Sequence, residues 1–158
     1  TNPANPQYQM IGIFHPDYLS LYAEAAKHLG YKRLVIYSSA NGMDEISPVH
    51  PVQFVEIEGT RESRFTQDPA DYISKQEAAL IPSGLSAEEN AELFLETIEE
   101  TSPTPLSKLI ALNSALGFYS LYHMPFKQAY EKVLDAIHSG QVSEKVRQLQ
   151  GVRHAVVV

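Results

Sequence analysis

The sequence predicts an α/β domain in which helices pack on a central, largely parallel β-sheet that carries an added hairpin at one edge. Two patterns lead to this prediction. Apolar runs at residues 8–14 and 34–37 flank an amphipathic segment, and this strand–helix–strand order is typical of parallel sheets. Two further short runs, at residues 52–57 and 62–66, follow closely on one another, which is typical of a hairpin.

The first helix is predicted to begin at Pro16, shortly after the strand at 8–14. Proline is favoured at the first position of a helix because its missing N–H would have no partner there. Large apolar residues then recur at helical spacing, and we expect them to face the core or an interface. These residues are Tyr18, Leu21, Tyr22, Ala25, Ala26 and Leu29. Gly30 is expected to end the helix.

The second strand, at residues 34–37, consists of four consecutive apolar residues, which predicts a buried parallel strand. A strand–helix–strand crossover is right-handed in nearly all proteins and makes its two strands parallel. The residues that follow the two strands therefore lie at the same carboxyl edge of the sheet. These are His15 and the loop at 42–47.

The runs at 52–57 and 62–66 are predicted to pair with each other in antiparallel fashion at an edge of the sheet. The stretch that follows, residues 67–84, has no sustained hydrophobic period and contains two Pro-containing turns. We expect it to be mostly loop.

Two helix starts can be identified from their capping residues. Ser86 and Glu89 match a capping box, which predicts a helix that runs to about Glu100. Thr104 is an N-cap residue followed by proline, and it begins a predicted helix over Pro105–Tyr122. Because that helix is apolar on nearly every side, we expect it to be the central buried helix.

The C-terminal part of the chain predicts two more helices. One begins at Pro125 and ends at Gly140, and a short last one covers residues 142–150 and is stopped by Gly151. The tail at 155–158 is expected to form either a strand or a frayed end.

Composition limits the classes of function. The 158 residues are enough for one domain with its own core. A formal net charge of −7 disfavours nucleic acid and anionic membranes as partners, and no apolar run is long enough to span a bilayer. The chain contains no cysteine, which fits a reducing compartment, and we expect a cytoplasmic location.

The loop at 42–47, Gly-Met-Asp-Glu-Ile-Ser, places two adjacent carboxylates directly after the second strand. In open α/β sheets, ligands bind outside the carboxyl ends of the strands. Mg²⁺ is commonly held by one or two carboxylates while substrate phosphates complete its coordination. Asp44 and Glu45 are therefore predicted to bind Mg²⁺ beside a phosphorylated ligand, the alternative being a solvated turn.

Several motifs occur in one order along the chain. They are Thr-Asn-Pro-Ala at 1–4, Gly12, Phe-His-Pro at 14–16, the loop at 42–47, Glu-Asn-Ala at 89–91, Leu-Asn at 112–113 and Ser-Gly at 139–140. On these motifs the chain resembles the anthranilate phosphoribosyltransferases over almost its whole length. The Asp-Glu loop and the Asn-Pro opening are the more specific parts of the resemblance.

This resemblance implies a reaction and a position within a larger fold. The family has a small helical domain and a large α/β domain of the phosphoribosyltransferase/nucleoside-phosphorylase kind, and residues 1–158 resemble the C-terminal portion of the large one. The family transfers the phosphoribosyl group of phosphoribosyl pyrophosphate to anthranilate in tryptophan biosynthesis. By the same resemblance, Asp44 and Glu45 bind the Mg²⁺ that accompanies the pyrophosphate.

Two parts of the family pattern are missing from this sequence. The helical domain and the Gly-Thr-Gly-Gly-Asp phosphate loop are absent, and the eight glycines are scattered. We therefore expect the chain to be a fragment that is inactive alone and binds neither substrate appreciably. Apolar surface left uncovered by a missing half is expected to favour pairing with that half or a homodimer.

The chain also departs from the family pattern at 50–52, 69–73 and 139–142. These departures leave two alternatives open. One is a related phosphoribosyltransferase with a different acceptor, and the other is an α/β binding or interaction domain without catalysis.

The remaining polar candidates are interpreted as structural. His15 is expected to serve as a loop or cap residue, and Asn113 to form a structural hydrogen bond within its apolar helix. Asn90 is expected to support the start of its helix or a domain interface. The histidines show no metal-ligand spacing, so zinc is not expected.

Overall fold

The structure is a computed structural model that describes residues 4–155, with the backbone alone for residues 152–155. The first three residues of the Thr-Asn-Pro-Ala motif and the part of the expected tail at 156–158 lie outside the described residues. In residues 4–155, a mixed four-stranded sheet is covered by helices on both faces.

The predicted parallel strand pair is confirmed. Strand β1 (Tyr8–Gly12) pairs in parallel with β2 (Arg33–Ser39), and Gly12 lies opposite Tyr37. Between them the chain forms a 3-10 turn at Pro16–Tyr18 and helix α1 (Leu19–Ala26). The carboxyl ends of both strands therefore reach the same edge of the sheet.

The apolar residues of the first helix are predicted to face the core or an interface, but of those six residues Ala26 alone lies in the core. Helix α1 packs on the sheet through Leu19, Ala23 and Ala26. The residues exposed on its other surfaces include Tyr18, Leu21, Tyr22, Ala25 and Leu29. The reason is steric, because the two alanines allow the helix to approach the sheet closely.

The predicted edge hairpin is confirmed. Strands β3 (Val52–Glu58) and β4 (Arg61–Gln67) pair in antiparallel fashion, and β3 also pairs in antiparallel fashion with β2. The strand order is β1-β2-β3-β4. The parallel part of the sheet in residues 4–155 is thus the β1/β2 pair, with the hairpin beside it.

The stretch after the hairpin is more ordered than expected. It contains a 3-10 turn at Pro69–Asp71 and a one-turn helix α2 (Lys75–Ala78). A capping box stabilises α2, since the backbone N–H of Glu77 donates to the Ser74 hydroxyl and that of Ser74 donates to the Glu77 carboxylate. A four-residue helix is too short to show a hydrophobic period, which is why the pattern predicted a loop.

Four longer helices complete the described chain: α3 (Ala87–Glu99), α4 (Pro105–Tyr122), α5 (Phe126–His138) and α6 (Gln141–Ala155). The side chains of Ser86 and Thr104 cap α3 and α4 as predicted. The prediction that Gly151 ends the last helix is wrong, because α6 continues through it. Glycine inside a helix costs only about 1 kcal/mol relative to alanine.

The residues of β2 alternate between two cores. Leu34 and Ile36 face α1, whereas Val35 and Tyr37 face α4 and α5. Helix α4 buries one face against the sheet and α5, but its last two residues, Leu121 and Tyr122, are 45% and 64% exposed. The helix predicted to be the central buried helix packs in the core along one face.

A buried ionic cluster joins α4 to the sheet. The guanidinium of Arg33, 4% exposed, donates hydrogen bonds to the Glu56 carboxylate and to the carbonyl of Tyr119 on α4. The hydroxyl of Tyr119 donates to Glu56 at 2.6 Å. These contacts fix the position of α4 relative to β2 and β3. They therefore also fix where Asn113, a residue of α4, lies along the sheet.

No helix within residues 4–155 combines the length and the apolar character that crossing a membrane requires.

Candidate functional site

The acidic pair lies on the β2–β3 loop, at the carboxyl end of the parallel strands. Both Asp44 and Glu45 are exposed, so their carboxylates are accessible to a ligand. The next two residues, Ile46 and Ser47, are buried. The loop thus presents two charges outward from a backbone that is anchored in the protein.

Glycine at position 12 allows this loop to lie against the end of β1. A Cβ atom at Gly12 would overlap the backbone carbonyl oxygen of Asp44. Gly42, at the start of the loop, has a φ of +84°, a conformation that other residues rarely adopt. The two glycines of the sequence motifs therefore have steric roles, since one admits the loop and the other turns it.

Ser39, the last residue of β2, ties the two ends of the loop together. Its hydroxyl donates to the carbonyl of Glu45 at 2.6 Å and accepts the N–H of Ser47 at 2.9 Å. Its backbone N–H donates to the carbonyl of Met43 at 3.2 Å. One buried serine thereby holds the backbone on both sides of the acidic pair.

Asn113 holds the same loop from helix α4. Its Oδ1 accepts the N–H of Ile46 at 2.8 Å, and its Nδ2 donates to the carbonyls of Ile46 and Leu109 at 3.2 Å. The side-chain amide thus satisfies both backbone groups of the residue that follows Glu45. The predicted structural hydrogen bond is confirmed, and its partner is the candidate site itself.

The two carboxyl groups interact with each other. Partial burial, followed by a hydrogen bond to Asp44 and the negative charge of that residue, raises the pKa of Glu45. Burial, with smaller contributions from the charges of Glu45 and Asp44, also raises the pKa of the Tyr37 hydroxyl. The pair thus concentrates negative charge at one point, which a bound cation would relieve.

The two carboxylates are not part of a larger ligand set. Within residues 4–155, no group of three or more His, Asp or Glu side chains is arranged to hold a metal ion. A cation at this loop would therefore need oxygens from a ligand or from water. This donor set fits Mg²⁺, which is commonly bound by one or two carboxylates together with substrate phosphates.

The other polar candidates have structural roles. Nδ1 of His15 accepts the N–H of Asp17 at 3.3 Å and caps the 3-10 turn, as predicted. Nδ2 of Asn90 donates to the carbonyls of Leu85 and Ser86, which supports the start of α3. Neither residue is brought to the acidic pair by any of these contacts.

Sequence reasoning missed Ser39 and the steric role of Gly12. A serine at the end of a buried strand signals only that its hydroxyl needs a partner. A steric requirement for glycine depends on the path of a loop more than thirty residues away. Neither feature has a local pattern by which it could have been identified.

Comparison with known proteins identifies the type of domain. Residues 1–143 match a family model described as a glycosyl transferase family, a/b domain. Curated relatives include the anthranilate phosphoribosyltransferases of Streptococcus gordonii, 31% identical over 150 residues, and Ignicoccus hospitalis, 26% identical over 150 residues. These alignments cover 94% of this chain but only 44–45% of each relative. The chain thus spans less than half the length of the curated relatives it matches.

Solved structures show the same fold. Anthranilate phosphoribosyltransferase from Saccharomyces cerevisiae in complex with 4-fluoroanthranilate matches with a TM-score of 0.75 and 22% identity. The same enzyme in complex with PRPP and Mg matches with a TM-score of 0.73 and 22% identity. Both matches cover 89% of this chain and 41% of the yeast chain.

Proposed function

The chain belongs to the glycosyl transferase family, a/b domain, and on that premise we propose that the polypeptide containing it transfers the phosphoribosyl group of phosphoribosyl pyrophosphate to anthranilate. One observation carries the proposal. The loop with Asp44 and Glu45 is held by Ser39 and Asn113 at the carboxyl edge of the parallel strands, where α/β domains bind their ligands.

In this proposal, residues 1–158 supply the C-terminal portion of the α/β catalytic domain. The coverage supports this, because the chain accounts for 44–46% of the length of its relatives. The phosphate loop and the residues that contact anthranilate belong to the remaining length. The chain's own contribution to the reaction is then the site at Asp44 and Glu45.

Asp44 and Glu45 would hold Mg²⁺ together with the pyrophosphate of the substrate. When bound, the ion offsets the negative charge that accumulates on pyrophosphate as it leaves the ribose carbon. Such help is needed beside a 158-residue segment whose formal charge is −7. Ser39 and Asn113 keep the two carboxylates in place, so little loop ordering would accompany binding.

Three features of this chain support that division of roles. The loop backbone is anchored on both sides of the acidic pair, the two carboxylates are exposed, and partial burial together with the neighbouring Asp44 raises the pKa of Glu45. A preformed site with excess negative charge is suited to a divalent cation. A solvated turn would not require two separate side chains to fix its backbone.

A related transferase with a different acceptor is the second candidate. It is favoured by the departures from the family pattern at 50–52 and 69–73. Both candidates use the same acidic pair and differ only in the amine that attacks the ribose. Turnover with anthranilate as the sole acceptor distinguishes them.

The proposal is tested by removing both charges in the intact polypeptide with Asp44→Asn and Glu45→Gln. Outer-shell changes typically lower metal affinity 10–100-fold, so loss of both ligands should raise the Mg²⁺ concentration needed for half-maximal rate by more than about 100-fold. Folding should be retained, because the backbone contacts of the loop remain.

A matched control removes two adjacent exposed carboxylates elsewhere. Glu99→Gln with Glu100→Gln makes the same charge change at the end of α3, and it should leave the Mg²⁺ requirement unaltered. Steady-state rates at varied Mg²⁺ and phosphoribosyl pyrophosphate measure both variants. If the two double variants behave alike, Asp44 and Glu45 do not bind the metal.

A further inference from the structure

The side chain of Tyr37 on β2 adjoins the backbone of the acidic loop. Gly12 and Tyr37 are register partners in the parallel strand pair, and they follow the pair Ile11 and Ile36, which faces α1. Because successive residues of a strand point to opposite faces, Gly12 and Tyr37 both face α4. On that face, the carbonyl of Asp44 takes the space that a Cβ atom at Gly12 would need. Neighbouring strands are about 4.8 Å apart, so Asp44 lies next to the Tyr37 side chain.

Packing holds the ring of Tyr37 in place. It stacks on Phe54 at a centroid distance of 5.8 Å, and Phe54 stacks in turn on Phe65 at 4.8 Å. Tyr37 is 9% exposed and belongs to the same core as Ile46, the residue that follows Glu45. The hydroxyl at the end of this ring therefore has a defined position beneath the loop.

The hydroxyl of Tyr37 has hydrogen-bonding capacity that the protein does not use. Among residues 4–155, no group donates a hydrogen bond to it or accepts one from it. Tyrosine hydroxyls that are largely buried usually have a partner, because leaving them without one costs free energy. Burial, followed by the charges of Glu45 and Asp44, raises the pKa of this hydroxyl. It is therefore neutral at neutral pH and can both donate and accept.

The other polar side chains beside the loop are already occupied by its backbone. The hydroxyl of Ser39 binds the backbone on both sides of the acidic pair, and the amide of Asn113 binds that of Ile46. Tyr37 differs from both, since its hydroxyl holds no part of the loop. It is thus available to a molecule or ion that binds at the acidic pair.

We propose that the Tyr37 hydroxyl accepts a hydrogen bond from a water molecule bound to the cation at Asp44 and Glu45. The inference deepens the proposed function and rests on it for the presence of that cation. Mg²⁺ keeps several of its waters when it binds to proteins, and the charge of the ion makes these waters strong donors. The proton of the same hydroxyl can reach a carboxylate or phosphate oxygen. Tyr37 is then a positioning residue, which orients the hydrated ion from the core side of the loop.

Terbium luminescence tests this contact without any turnover. Like Mg²⁺, Tb³⁺ prefers oxygen ligands, and it emits strongly when an adjacent tyrosine absorbs light and transfers the energy to it. The chain contains no tryptophan, so its tyrosines supply this energy. We expect the 158-residue chain to show sensitised emission with Tb³⁺. Asp44→Asn with Glu45→Gln should abolish it.

Tyr37→Phe removes the hydroxyl and keeps a ring that can stack on Phe54. This variant should lose most of the sensitised emission. Its dissociation constant for Tb³⁺, measured by calorimetry, should rise by about 10-fold, as for other supporting contacts of metal sites. Tyr31→Phe is the matched control, because Tyr31 is 8% exposed and precedes β2 at the opposite end of the strand. It should change neither quantity.

The intact polypeptide provides a second readout. Tyr37→Phe should raise the Mg²⁺ concentration needed for half-maximal rate by about 10-fold, and saturating Mg²⁺ should restore most of kcat because both carboxylates remain. The thermal midpoint should not fall, since the hydroxyl has no partner among residues 4–155. A merely structural role would lower the thermal midpoint and leave the Mg²⁺ dependence unchanged.

Three results would overturn the proposal. They are an unsubstituted chain without sensitised emission, equal emission from the Tyr37→Phe and Tyr31→Phe variants, and a lower thermal midpoint of Tyr37→Phe with unchanged metal affinity. Emission that persists without the carboxylates of Asp44 and Glu45 would overturn both this inference and the proposed function. Emission that depends on Tyr37 and the acidic pair, in a polypeptide that does not turn over anthranilate, would overturn the proposed function alone.

Discussion

Two polar side chains outside the acidic pair set the conformation of the loop that presents it. The Ser39 hydroxyl joins the backbone of Glu45 to that of Ser47, and the Asn113 amide satisfies both backbone groups of Ile46. Metal ligands depend strongly on such supporting contacts, which fix their direction. The position of Glu45 therefore depends on a residue of α4.

We predict that Asn113→Ala in the intact polypeptide raises the Mg²⁺ concentration needed for half-maximal rate by about 10-fold, within the range seen for supporting residues. The substitution removes the three hydrogen bonds of the amide and leaves the partly buried backbone groups of Ile46 without them. The loop would then sample several conformations. Because the carboxylates themselves remain, saturating Mg²⁺ should restore most of kcat.

The neighbouring Ser114 provides the control. It lies on the same helix but is exposed, so Ser114→Ala should leave the metal requirement as it is. A merely structural role for Asn113 would lower the thermal midpoint without shifting the Mg²⁺ dependence. That outcome would contradict the prediction.

At this scale, the sequence predicted the acidic pair and the buried amide but not their connection. Asn113 is conspicuous because a polar side chain within an apolar helix must find partners. Its partner Ile46 is 67 residues away, and no local pattern specifies a contact over that distance. Only the packing of α4 against the sheet brings the two together.

At the scale of elements, the hydrogen-bonded cluster of Arg33, Glu56 and Tyr119 determines the position of α4 on the sheet. Burial opposes the ionisation of Glu56, but hydrogen bonds from Arg33 and Tyr119 outweigh it and hold the pKa of Glu56 below its ordinary value of 4.5. Burial, and then the hydrogen bond to Glu56, raises the pKa of Tyr119 to about 12. The cluster thus favours an ionised glutamate and a neutral tyrosine at neutral pH.

We predict that Glu56→Gln destabilises the 158-residue chain at pH 7 by about 3 kcal/mol, because it leaves Arg33 buried without its closest counter-charge. A lowered pKa in the folded state contributes stability that is present above the unfolded value of 4.5. This contribution is lost as the pH falls through the folded pKa. The difference between variant and wild type should therefore shrink below about pH 4.5.

Urea unfolding at a series of pH values measures this difference. Glu96→Gln removes an exposed carboxylate on α3 and should change the stability by less than about 0.5 kcal/mol at any pH. A difference between Glu56→Gln and wild type that stays constant from pH 7 to pH 3 would show that the charge of Glu56 contributes nothing.

Helix starts were the most predictable features, and the orientation of α1 was the least. Capping boxes are local, so the starts of α3 and α4 follow directly from Ser86 and Thr104. Helix α1 has two candidate core surfaces. Leu19, Ala23 and Ala26 also recur at helical spacing, so periodicity alone does not show whether this surface or the one with Tyr22 packs on the sheet.

At the scale of the whole molecule, charge and coverage constrain what the chain does. A formal charge of −7 opposes the approach of a pyrophosphate ester, so binding requires local compensation. In the proposed function, that compensation is divided between the metal at Asp44 and Glu45 and a phosphate loop outside this chain. Two carboxylates alone bind Mg²⁺ weakly without the phosphates that complete its coordination.

We therefore predict that the isolated 158-residue chain shows no transferase activity with phosphoribosyl pyrophosphate, anthranilate and Mg²⁺, whereas the intact polypeptide does. The fold can form, because two cores enclose the sheet on both faces. In the proposed function, however, this chain would contact the substrate only through the Mg²⁺ held by Asp44 and Glu45. Positioning both reactants supplies a large share of catalysis in such transfers. A continuous assay of pyrophosphate release measures this, and turnover above a blank without protein would show that residues 1–158 contain a complete site.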